Sequence, residues 1–142
     1  MTTAKRFKTM VMIAFSLLLL LYFSGCAGTK QTMLDAGLKP MTSQELKSQF
    51  ATERTAKVHV LGAKDRWYTY IYRPDGTLTI QRKLKRETKT RYRFFSIAND
   101  QVCVKKKLTS KNEECSAWFK VAPDTYQTYA KDGTILDKQI FN

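Results

Sequence analysis

The side chains able to carry chemistry are few. They are three cysteines, Cys26, Cys103 and Cys115, and a single histidine, His59. A metal centre needs several Cys, His or carboxylate ligands at short spacing, and a dithiol redox site needs Cys-x-x-Cys; the chain has neither pattern. Gly-x-Ser-x-Gly, His-Glu-x-x-His and a phosphate-cradling glycine loop are also missing. His59 alternates with Val58 and Val60 and is expected to point to solvent, whereas a small hydrolase would require an acidic neighbour for it. Asp75 and Asp132 each precede a glycine, which marks them as turn residues rather than a catalytic carboxylate pair. No catalytic residue, cofactor or metal site is expected, and the protein reads as a non-enzyme.

Cys26 has a distinctive setting. Lys5, Arg6 and Lys8 precede an apolar run from Met10 to Phe23, then Ser24 and Gly25. That is the order of an export signal. The run has roughly 14 residues, short of the roughly 20 that span a bilayer, so a removable signal is expected. Phe23-Ser24-Gly25-Cys26 resembles the lipobox of bacterial lipoproteins, although Phe23 stands where the pattern most often has Leu. The resemblance implies a signal peptide over 1–25, a diacylglycerol thioether on Cys26 and an acylated, palmitate-like N-terminus. It also implies a membrane anchor that outlasts any single chain. With Ala27 rather than Asp next, it implies the outer membrane, facing the periplasm, if the cell is Gram-negative.

If Cys26 carries lipid, Cys103 and Cys115 remain in an oxidising compartment and are expected to pair as a disulfide. A metal or redox pair is the rival reading.

The next candidate is charge. The formal net charge of +13 becomes +10 once the signal's three cations are removed. Arg82, Lys83, Lys85, Arg86, Lys89, Arg91 and Arg93 crowd one predicted connection, and Lys105, Lys106, Lys107 and Lys111 crowd another. Such clusters attract phosphate-rich or acidic surfaces. A solvated, solubilising face is the bland alternative.

The elements that must position these residues read as strands. Residues 26–41 contain glycines and a proline with little periodicity and are expected to be a lipidated N-terminus and tether. A single domain follows over 42–142. Thr42-Ser43-Gln44-Glu45 has capping-box spacing, predicting a short helix over about 43–52 that lays Leu46 and Phe50 across one patch of sheet. Trp67 to Tyr72 and Thr77 to Ile80 flank Arg73-Pro74-Asp75-Gly76, a hairpin signal with Tyr68, Tyr70 and Tyr72 on one face. A further strand is expected over 91–97, with Tyr92 and Phe94 opposite Arg91 and Arg93, and a bulge or a sharp bend at Phe94-Phe95. Strands over 101–106, 115–121, 125–130 and 134–140 complete the pattern, placing Cys103 opposite Cys115. In a meander the two basic tips fall at the same end.

The expected fold is mainly β: a curled antiparallel meander or small open barrel of about 6–8 strands, with one short N-terminal helix and one disulfide. The pattern of aromatic strands, two Asp-Gly-Thr turns and the Cys103, Cys115, Trp118 spacing resembles small exported bacterial β-domains, a likeness that implies fold and compartment and no activity. The expected role is an envelope binding or assembly-support module. It meets the membrane through lipid at Cys26 and anionic lipid or polysaccharide through the basic clusters. Nucleic acid, seldom met by an exported protein, is not an expected partner. The alternative is an accessory subunit of an envelope protein complex that binds its partner through the face bearing Tyr68, Tyr70 and Tyr72.

Overall fold

The computed structural model describes residues 29–61 and 66–142. The signal segment and Cys26 lie outside the described residues. Eight antiparallel strands follow in simple up-and-down order: β1 Arg54–Val60, β2 Trp67–Tyr72, β3 Thr77–Lys83, β4 Thr88–Ala98, β5 Gln101–Lys105, β6 Glu113–Ala122, β7 Thr125–Ala130 and β8 Ile135–Phe141. They close into a barrel because β8 pairs back onto β1, with Ala56 opposite Phe141 and Val60 opposite Asp137. Closure removes the sheet edges that an open meander would leave unpaired.

The alternation of each strand sets its inner face. Val58, Tyr72, Leu78, Val102, Trp118, Tyr126 and Phe141 form the core inside the barrel. Outward positions such as Lys57, Lys105, Gln127 and Lys138 are polar, the reverse of a barrel whose outer wall meets lipid. Tyr68, Tyr70 and Tyr72 belong to the inner set, Tyr72 being fully buried. They are not an exposed aromatic surface for a protein partner.

Among the described residues there are two short helices where one was expected. Helix α1, Lys30–Asp35, lies in the stretch expected to be a tether. Instead of standing the domain off, this segment packs on the outer wall, where Met33 and Leu38 cover Ala117, Phe119 and Tyr129. It starts beside the β7–β8 turn, with the Lys30 amide donating to the Gly133 carbonyl at 3.1 Å, and ends where the Met41 amide donates to the Trp118 carbonyl at 2.8 Å.

Helix α2, Ser43–Gln49, has the predicted capping box: the Thr42 amide donates to the Glu45 carboxylate at 2.7 Å and the Glu45 amide to the Thr42 hydroxyl at 3.3 Å. It does not lie across one sheet patch. It plugs one end of the barrel, because the Phe50 ring sits between Tyr72, Phe95 and Trp118, with centroids 4.7, 5.3 and 5.5 Å away. Polar contacts hold the plug at its rim. Ser43 and Asp100 exchange backbone-to-side-chain hydrogen bonds, and the Tyr126 hydroxyl donates to Gln49 at 3.2 Å.

The expected bulge at Phe94-Phe95 is not there. β4 keeps its register through both residues, pairing Phe94 with Thr77 and Phe95 with Val104. The register shifts fall between Lys120 and Ala122 and between Thr128 and Tyr129 instead. Two adjacent phenylalanines need no bulge here, because Phe95 packs against the core while Phe94, on the other face, stays only half-buried.

Cys103 and Cys115 are direct partners across β5 and β6 and form the disulfide. Glu113 lies close to both sulfurs, but these are bonded to each other and Glu113 pairs with Lys105, so the trio is not a metal site. The bond closes a loop with a separation of 12 residues. Reduction, or joint Cys103→Ser and Cys115→Ser replacement, is expected to cost about 3 kcal/mol in a denaturant titration.

Candidate functional site

In an up-and-down barrel alternate connections share an end. The β2–β3, β4–β5 and β6–β7 turns therefore surround the α2 plug, while the β1–β2, β3–β4, β5–β6 and β7–β8 connections surround the opposite mouth. Both basic clusters lie at that mouth, as the meander predicts.

Their facing could not be read from alternation alone. Arg93 pairs with Leu78, Arg91 with Ile80 and Lys89 with Arg82. Leu78 is core, so this row of cations, not the Tyr92 row, continues the inner face. The cause is strand length. β4 has 11 residues but pairs with β5 only over Phe94 to Ala98, so its first half runs past the rim with β3 as a two-stranded arm. An inward-facing residue on the arm looks into the mouth rather than the core, and charge is tolerated there.

Lys83, Lys85, Arg86, Lys89 and Arg91 are exposed on the arm, and Arg82 and Arg93 are half-buried. The Arg82 guanidinium lies 5.8 Å from the Tyr68 ring centroid. A cleft of about 140 Å³ beneath the arm is lined by Tyr68, Ile80, Arg82, Leu84, Lys89 and Arg91. Across the mouth, Lys105 pairs with Glu113 at 3.3 Å while Lys106, Lys107 and Lys111 are exposed on the β5–β6 connection. On the arm, Lys89 pairs with Glu87 at 3.5 Å.

Large apolar side chains are interleaved with these cations. Leu108 is 72% exposed among the β5–β6 lysines, Tyr92 is 70% exposed on the arm, and Trp67 is 48% exposed at the start of β2. His59 is on the outer wall as expected, stacked on Trp67 with centroids 4.6 Å apart. Neither Trp67 nor Leu108 belongs to the charge clusters, and both escape a reading that counts cations. Their signal is visible only once the strands place them at one end.

Asp75 and Asp132 are turn residues as expected, each accepting from the threonine two residues on, Thr77 and Thr134, at 2.9 Å. Those hydrogen bonds hold both carboxyls below the usual carboxylate range. The two turns sit at opposite ends of the barrel, so they form no pair.

The titratable group that sequence reasoning missed is Asp137. It lies deep in the barrel wall, accepting from the Thr128 hydroxyl at 2.8 Å and from the Gln139 amide at 3.1 Å. Burial pushes its carboxyl up to about 6, outweighing those two hydrogen bonds. Burial likewise raises the neighbouring phenols of Tyr70 and Tyr72. Between the unfolded carboxylate value and 6 the native state binds the extra proton, so Asp137 costs stability as pH rises through 6. Glu45, Asp75, Asp100 and Asp132 act oppositely, their hydrogen bonds contributing stability that is lost as pH falls below the usual carboxylate range. Melting temperature is therefore expected to peak near about pH 5. Asp137→Asn should raise stability at pH 7.5 by about 1–3 kcal/mol and flatten the slope between about pH 4 and 6.5. A slope unchanged by the substitution would assign it to another group.

No protein-family model matches the chain, and neither a curated protein nor a solved structure matches it.

Proposed function

We propose that this protein is a non-enzymatic outer-membrane lipoprotein of the periplasmic face, held by lipid on Cys26. Its barrel is a binding or assembly-support module whose basic mouth rests on the anionic headgroups of the membrane that anchors it. One observation carries this reading: the chain leaves the barrel at the mouth. Lys30 is fixed to Gly133 of the β7–β8 turn. Only Ala27 and Gly28 separate Thr29 from Cys26, three residue steps and so a reach of about 10 Å even when fully extended. A lipid at Cys26 therefore keeps the mouth, and not the plugged end, beside the bilayer.

The composition of the mouth supports the same orientation. Lysines and arginines near an anionic leaflet contribute about 1 kcal/mol each. Tryptophan, tyrosine and leucine among cations suit the headgroup boundary, where an apolar body and a charged tip can both be satisfied. A purely solubilising surface has no use for Leu108 and Trp67 exposed at the same end.

The chain has two tryptophans, and Trp118 is buried beside the plug, so Trp118→Phe leaves Trp67 as a reporter of the mouth. In the full-length protein reconstituted in anionic vesicles, lipids brominated near the glycerol end of their chains should quench Trp67. Quenching should weaken as salt shortens the Debye length below about 10 Å. An unquenched Trp67 in anionic vesicles at low salt would overturn the reading.

A further inference from the structure

The barrel is not filled to its mouth. Above the aromatic core remains a cavity of about 180 Å³. At about 30 Å³ per water it has room for about six waters, or one small organic group. Eight-stranded barrels are of the width that either fills with side chains or holds one small ligand. Tyr70, Ile80, Val104 and Leu136 supply much of its wall. Leu136 reaches it through the β8 register shift, and Glu114 and Leu136 are exposed, so the cavity opens at the mouth.

Charged groups of both signs line it. Asp137 and Glu114 both line the cavity. Both hydrogen bonds to Asp137 end on Oδ1, so Oδ2 is left without a partner among the described residues. Asp137 is deep in the wall yet keeps part of its surface accessible, which the open cavity explains. Nearer the opening both signs are present, with Glu114 exposed and Arg93 half-buried. Arg93 lines the cavity and Arg91 the adjoining cleft, two guanidinium groups on alternate residues of one strand face. Among the described residues no carboxylate forms an ion pair with either.

We propose that this cavity receives the ammonium end of a small ammonium–phosphate zwitterion, the ethanolamine phosphate group, with Asp137 and Glu114 on the ammonium and Arg91 and Arg93 on the phosphate. Each half of the ligand follows from the two signs in the lining. A simple anion meets two carboxylates beside the arginines, and a simple amine is repelled by the basic mouth. Guanidinium forks match phosphate oxygens in bidentate fashion. The Tyr70 ring and phenol beside the carboxylates offer a cation a π face and an acceptor oxygen. The same chemistry occurs free in solution and as a phospholipid headgroup. The lipid source rests on the mouth-down orientation proposed above, whereas the free solute does not.

Calorimetric titration of the full-length protein in nonionic detergent tests the site, using O-phosphoethanolamine, inorganic phosphate and ethanolamine as separate probes. At pH 7.5 the zwitterion is expected to bind at least about tenfold more tightly than either half, and Asp137→Asn or Arg93→Gln to weaken it by at least about tenfold, near 1.4 kcal/mol. Near-UV circular dichroism establishes that each variant is folded. Lowering the pH to 5 should weaken binding in wild type, because Asp137 takes up a proton among Tyr70 and Tyr72 of β2, Arg93 of β4 and Glu114 of β6; the Asp137→Asn variant should keep only the smaller dependence that comes from the phosphate monoester's own second ionisation near about pH 6. Phosphate binding as tightly as the zwitterion with no effect of Asp137→Asn, or no saturable binding by any probe, would overturn the proposal. Vesicles with phosphatidylethanolamine against phosphatidylcholine at equal charge separate the sources: an Asp137-dependent preference for the former identifies the headgroup, and binding of the free zwitterion without that preference identifies the solute. Loss of Trp67 quenching with zwitterion binding intact would remove the membrane orientation and leave this site standing.

Discussion

Phe50→Ala is expected to cost about 3–5 kcal/mol, enough to threaten a domain whose whole stability is of order 5–15 kcal/mol. The ring is 4% exposed and is shared by β2, β4, β6 and β8 through Tyr72, Phe95, Trp118 and Phe141. Its removal opens a hole where four strands meet, and those strands are hydrogen-bonded into a closed ring that cannot contract to fill it. Phe50→Leu keeps much of the apolar volume and should cost less than half as much. Urea titration of both variants measures the difference. A loss below about 1 kcal/mol for the alanine variant would mean that α2 is an attachment and not part of the core.

Charge reversal at the tips should abolish docking without touching the fold. Lys83, Lys85, Arg86 and Lys107 are exposed, so changing all four to glutamate is expected to alter stability by no more than about 0.5 kcal/mol each. At about 1 kcal/mol per cation near an anionic leaflet, their loss removes about 4 kcal/mol and shifts the docked population by about a thousandfold. The added carboxylates push in the same direction. In the anchored protein, Trp67 quenching by brominated lipid should fall to the level seen in neutral vesicles. Retained quenching would transfer the interaction from charge to Trp67 and Leu108. Because none of the four residues lines the cavity, zwitterion binding in detergent should survive the change.

Several features follow from local sequence alone. Asp-Gly after a run of alternating residues requires a turn, because Gly76 and Gly133 adopt positive φ of 82° and 88°. Thr42 and Glu45 are near enough in sequence to cap a helix wherever that helix lies. With alternation of period two, these signals were sufficient for a β-domain, its hairpins, the opposition of Cys103 and Cys115, and two basic tips at one end. The proposed lipid attachment at Cys26 is argued from equally local evidence, a string of residue types.

What only tertiary structure decided depends on residues distant in the chain. Whether β8 returns to β1 is a matter of accumulated twist and register over eight strands, to which no single hairpin attests. Phe50 reads as a helix-face residue until the closed barrel provides an end to plug. Met33 and Leu38 have no helical stripe of their own, and their burial depends on Phe119 and Tyr129 facing outward on strands far away. Alternation gives Arg91 and Arg93 a common face but not its destination, since inside and outside are defined only once β4 outruns β5. Asp137 looks like an ordinary strand carboxylate; its raised pKa and its cavity come from the wall that eight strands build around it. Turns, caps and strand phase are settled by neighbours in sequence, whereas burial, and with it the mouth and the cavity, is settled by closure.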